Sequence, residues 1–77
     1  MIVITFYTHH SAQLTNKLLK ASGISSKMSP VPRKLSSSCG SCVIAECEKL
    51  DFSLLDEDFE AVYKAENDNY ILLCSNE

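Results

Sequence analysis

The chain has 77 residues, 45% of them hydrophobic and 22% charged, a balance that excludes wholesale disorder and collagen-like or coiled-coil repeats. No apolar run approaches the roughly 20 residues of a membrane span, and Met1-Ile2-Val3-Ile4 lacks the charged onset and long apolar stretch of a signal peptide, so the cytoplasm is the expected address. The net charge of -3 is unevenly laid out: residues 1–45 hold five of the seven Lys and Arg and none of the ten Asp and Glu. Those five cations, without interleaved aromatics, do not make a nucleic-acid site.

Residues 2–7 are a nearly unbroken apolar, β-branched run and predict a central strand covered on both faces. Thr8 is placed to cap a helix over residues 10–22. Leu14, Leu18 and Ala21 recur there at helical spacing, Lys17 and Lys20 fall on the outer side, and Gly23 supplies the stop. Residues 24–31 predict a second strand, which Pro30 and Pro32 confine to a sheet edge because proline cannot donate to a ladder. A hydroxyl-rich loop follows over residues 33–41, and residues 42–48 predict a third strand with Val43, Ala45 and Cys47 on one face. Ser53 is placed to cap a second helix, with Asp56 in the capping-box position and Leu55, Phe59 and Val62 as its stripe. Asn67-Asp68-Asn69 makes a turn, and residues 70–74 predict the last strand.

That order, β-α-β-β-α-β, predicts an α+β fold of the ferredoxin-like kind, a single domain over residues 1–77 with two helices on one four-stranded antiparallel sheet. Right-handed crossovers then bring three parts of the chain to one edge. These are Thr8, His9 and His10, the loop of residues 30–42, and the Asn67-Asp68-Asn69 turn.

The four cysteines are Cys39, Cys42, Cys47 and Cys74. With no export signal and enough apolar residues for a core, reduced thiols are expected. Cys39-Gly40-Ser41-Cys42 has the two-thiol spacing that can close a small disulfide or grip one metal. Arg33 and Lys34 bring positive charge, Ser36, Ser37 and Ser38 bring hydroxyls, and Gly40 lets backbone N–H groups approach closely. Each favours an ionised sulfur.

Three chemistries compete for this motif. A thioredoxin-like oxidoreductase needs the motif to open a helix, and here a strand follows it. A zinc site would join Cys39 and Cys42 to His9 and His10, although adjacent histidines on one helix diverge by about 100°. A sulfur-handling thiol is the third option and needs only one nucleophile in an accessible electropositive loop, with no helix cap and no metal. One of His9 and His10 would then shuttle a proton or hold the thiolate. Cys47 and Cys74 read as core residues.

Pro30-Val31-Pro32-Arg33-Lys34-Leu35-Ser36-Ser37-Ser38-Cys39-Gly40 resembles the P-V-P-R-x-(I/L)-S-S-S-C-G signature of the small selenium/sulfur carrier-like proteins. Upstream, Lys17-Leu18-Leu19-Lys20-Ala21-Ser22-Gly23-Ile24 is similar to the end of that family's helix, L-K-x-x-G-I, and in this register His10 takes the place of the family's histidine. The resemblance implies that Cys39 carries a persulfide or perselenide between a donor and an acceptor protein. It also implies that His10, Arg33 and the run containing Ser37 and Ser38 shape the thiolate site beside Gly40. Two positions depart from the family: Asn16 stands in place of a glutamate, and Cys42 in place of an apolar or small residue. Cys42 is therefore either a resolving thiol or a packing residue.

The expectation is a carrier or thiol relay rather than a self-sufficient enzyme, without cofactor, metal, nucleic acid or membrane, and a homodimer is compatible with it. The competing class is a small binding module that grips an anion or a partner through the Pro-Val-Pro-Arg loop, with incidental cysteines.

Overall fold

The computed structural model describes residues 1–35 and 39–76. Among these the chain forms β1 (Ile2–Phe6), α1 (His9–Ala21), β2 (Ser26–Pro30), β3 (Ser41–Ala45), β4 (Phe59–Glu66) and β5 (Asn69–Ser75), with a short 3-10 turn at Phe52–Leu54. The strands make one sheet in the order β2-β3-β1-β4-β5, antiparallel at every junction. All five residues of β1 are buried, as its unbroken apolar run requires of the central strand. Side chains alternate across a strand. Ile2, Ile4 and Phe6 therefore meet Ala12 and Leu19 of α1, and Val43, Ala45 and Val62 complete that core.

Thr8 caps α1, its side chain accepting from the Ser11 backbone N–H at 3.1 Å, and Gly23 ends the helix at φ +83°. The buried face of the helix differs from the predicted stripe. Ser11, Ala12, Thr15 and Leu19 turn inward, while Leu14 and Leu18 are exposed. The reason lies in residues 46–58, which pack beside the helix start. Ser11 Oγ donates to Asp56 Oδ2 at 2.6 Å, and the Asp56 backbone N–H donates to Thr15 Oγ1 at 3.0 Å. A carboxylate near a helix N-terminus is favourably placed, and buried hydroxyls need such partners. Ala12 and Leu19, seven residues apart, turn into the core, and Asp56 satisfies the hydroxyls of Ser11 and Thr15 that are buried with them.

The second predicted helix is absent from the described residues, and the ferredoxin-like sandwich of two helices on four strands is corrected accordingly. Only the turn at Phe52–Leu54 is helical in that region, capped by Asp51 rather than Ser53. Ala61, Tyr63 and Ala65 alternate along β4, Phe59 turns to the helix-side core beyond a register shift, and the strand pairs with β1 on one side and β5 on the other. Asn67 and Asp68 both have positive φ, at 50° and 65°. Two such residues between antiparallel strands make the primed hairpin turn that joins β4 to β5. A hairpin thus stands where a helix and a strand were predicted. Leu50, Leu54 and Leu55 pack against the core cluster from residues 46–58.

Candidate functional site

β2 and β3 deliver the ends of the loop to one end of the sheet. Pro30 pairs with Ser41, and the ladder is extended by the Val31 N–H donating to Gly40 O at 3.2 Å. Gly40 sits at φ +74° with nothing within 4 Å of where a Cβ would be. Only the backbone conformation, not crowding, demands glycine there. Cys39 precedes it, half-buried and packed against the helix-side core. Its Sγ donates to the Ser41 carbonyl at 3.4 Å.

Ser41 shares the side of β3 used by Val43 and Ala45. That side faces the start of α1, where His9 Nδ1 and Ser41 Oγ share a hydrogen bond of 3.3 Å. His9, rather than His10, reaches the loop, and His10 is exposed on the neighbouring helix position. His9 is one of the two candidate histidines of the sequence, and Ser41 is not singled out there. The parity of β3 and the position of His9 as the first helical residue are the signals that pair them.

Cys42 occupies the opposite face of the sheet, paired with Thr5 and Ser29, and is fully buried. Its Sγ donates to the Pro30 carbonyl at 3.7 Å. Burial, with the nearby Cys39 as the lesser cause, pushes the Cys42 thiol up to about 11. The two sulfurs of the motif therefore point to different environments. Among the described residues no three His, Cys, Asp or Glu side chains gather as a metal centre requires, so the zinc alternative finds no ligand set. Cys47 and Cys74 pack against the core cluster.

Arg33 and Lys34 are exposed and line an open cleft of about 410 Å³ with Pro32, Asp68 and Tyr70. Register places the Asn67-Asp68 turn beyond the Ile2–Lys64 pair, at the opposite end of the sheet from Ser41, and not on the predicted common edge. Lys34 nevertheless reaches it, its Nζ donating to the Asp68 backbone carbonyl. The cationic part of the loop is thus tied to the hairpin turn while Cys39 stays at the start of β3. Ser36, Ser37 and Ser38, the hydroxyl run of the sequence reading, lie outside the described residues.

A family model described as "Putative Se/S carrier protein-like" matches residues 1–55, and the chain belongs to that family. The match spans β1, α1, β2, the loop and β3, and stops before β4. No curated protein and no solved structure matches the chain. Among the described residues no helix is long and apolar enough to cross a membrane.

Proposed function

We propose that the chain is a sulfur or selenium carrier that holds the transferred atom on Cys39. The observation that carries this reading is the placement of Cys39 in a chain of this family. The thiol stands half-buried at the mouth of β3, with the His9–Ser41 pair beside it. Membership of a family described as Se/S carrier-like supports this class of cargo.

The transfer needs no resident cofactor. The Cys39 thiolate attacks the outer sulfur of a donor persulfide, a new S–S bond forms on Cys39, and the donor sulfur leaves as thiolate. An acceptor thiolate then repeats the exchange, releasing the Cys39 thiolate, so no net oxidation occurs. A selenium atom would follow the same path. His9 lies within one serine of Cys39, placed to take the proton that the thiol gives up. Donor and acceptor would be proteins, and a compartment that keeps thiols reduced would suit the chemistry, as the cytoplasm does.

Incubation with a sulfane-sulfur donor such as thiosulfate and a sulfurtransferase that forms a persulfide from it, followed by intact-mass spectrometry, is expected to add roughly 32 Da, one sulfur atom, to the wild type and none to Cys39→Ser. Equal labelling of Cys39→Ser would show that the thiol is incidental and would return the chain to the binding-module class.

A further inference from the structure

The two edges of the sheet are built differently. β2, the edge nearest the loop, carries Lys27 as its second residue and Pro30 at its end. Both are devices that discourage a second strand from pairing. β5, the other edge, carries no charge and no proline in Asn69–Ser75. Its Ile71, Leu72 and Leu73 are 49%, 55% and 47% exposed, three adjacent members of the set of large exposed apolar side chains. Leu73 is the extra residue of a bulge against Val62 and Tyr63. A bulge can turn an edge away from partners, but this one adds a third exposed apolar side chain to Ile71 and Leu72, which stand on opposite faces of the same edge.

We infer that two copies of this chain pair through β5, antiparallel about Leu72, to extend the sheet across a two-fold axis. The order of side chains in β5 is what selects a second copy as the occupant. Antiparallel pairing about Leu72 sets Ile71 against the partner's Leu73, Tyr70 against the partner's Cys74, and Asn69 against the partner's Ser75. Apolar meets apolar at the centre and polar meets polar at both ends. Charge agrees with that register. The acids nearest the strand in the sequence are Asp68 and Glu77, and Asp68 would face the partner's Asn76 rather than another carboxylate. A chain whose acids are gathered in residues 46–77 thus meets its copy along the uncharged strand of that half, and like charges are not opposed. The symmetric arrangement closes on itself, leaving only the protected β2 edges outside.

The thiol site is not needed for this contact. β3, which carries the end of the loop, is separated from β5 by β1 and β4. Transfer by Cys39 and pairing by β5 can therefore fail independently.

Light scattering coupled to size-exclusion chromatography of the full chain tests the inference. The expected mass is about 17 kDa, twice the 8.5 kDa of one chain. Leu72→Lys, and separately Ile71→Lys, should elute at the mass of one chain with an unchanged far-ultraviolet circular dichroism spectrum, both side chains being already exposed. Leu14→Lys, on the exposed face of α1, should leave the dimer intact. A wild type that is monomeric at about 100 μM, a concentration at which even a weak specific pair is populated, overturns the proposal. So does a dimer that survives both β5 variants, one broken only by Leu14→Lys, or assembly beyond two copies.

Discussion

Cys39 and Cys42 are three residues apart in one motif, and the fold treats them as opposites. Cys39 lies in the loop, half-buried, beside the β3 residue that His9 touches. Cys42 is one residue into the strand, on the other face of the sheet, fully buried against Thr5 and with its thiol pushed up to about 11. The difference follows from strand geometry: once β3 begins at Ser41, successive side chains must alternate between faces. The spacing of a two-cysteine motif therefore does not establish a two-thiol site. In this chain it brackets one thiol at a surface and one in a core.

Four measurements sharpen or break that contrast, beginning with the largest effect. At pH 8, Cys42 should react with iodoacetamide about 100-fold slower than an unburied thiol, because two units in pKa suppress its thiolate by that factor. Peptide mapping after timed alkylation reads this directly, with Cys39 modified first. Comparable rates at both sites would mean that the burial of Cys42 is breached in solution.

Stability should also depend on pH through Cys42. Below pH 9, its ordinary value, both folded and unfolded chains hold the proton and nothing is lost. Between there and about pH 11 the unfolded chain releases the proton while the folded one retains it. Stability then falls by about 2–3 kcal/mol, and levels above that range. Urea melts across this window check it. Cys42→Ala should remove that part of the slope while giving up some packing.

The contribution of the helix start is smaller. His9→Ala, which deletes the partner of Ser41, should slow sulfur loading of Cys39 by about tenfold, and His10→Ala should leave it unchanged. Loading rates by stopped-time mass spectrometry separate the two, and a larger effect from His10 would reverse the assignment. Last, Gly40→Ala should cost about 1 kcal/mol from left-handed backbone strain alone, since a Cβ there meets no neighbour. Thermal melts measure it, and a much larger loss would mean that the loop is more tightly packed than its open surroundings indicate.

Much of residues 1–45 was legible without coordinates. The β-branched run of β1, the Thr8 cap, the Gly23 stop and the proline-marked edge strand each depend on neighbours a few residues away, and each lies where local chemistry puts it. Even there, the face of α1 was misread. Leu14 and Leu18 satisfy helical spacing, but Ser11 and Thr15 must meet Asp56, which lies more than 40 residues further along the chain. Residues 46–77 were less legible for the same reason. Leu55, Phe59 and Val62 fit a helix, while Phe59, Ala61, Tyr63 and Ala65 fit a strand, and nothing local separates the two periods. The Asn67-Asp68 pair was the available local clue, since two consecutive residues of this kind favour a primed turn between paired strands.

The sequence by itself therefore determined the central strand, the ends of the helix and the protected edge, because each is encoded by short-range sterics. Tertiary structure alone decided three things. β4 became a strand because β1 and β5 both offer it ladder partners. His9 joined the loop because α1 begins against the Ser41 face of β3. Cys42 left the site for the core because pairing between strands, a contact distant in sequence, fixes which face each residue occupies.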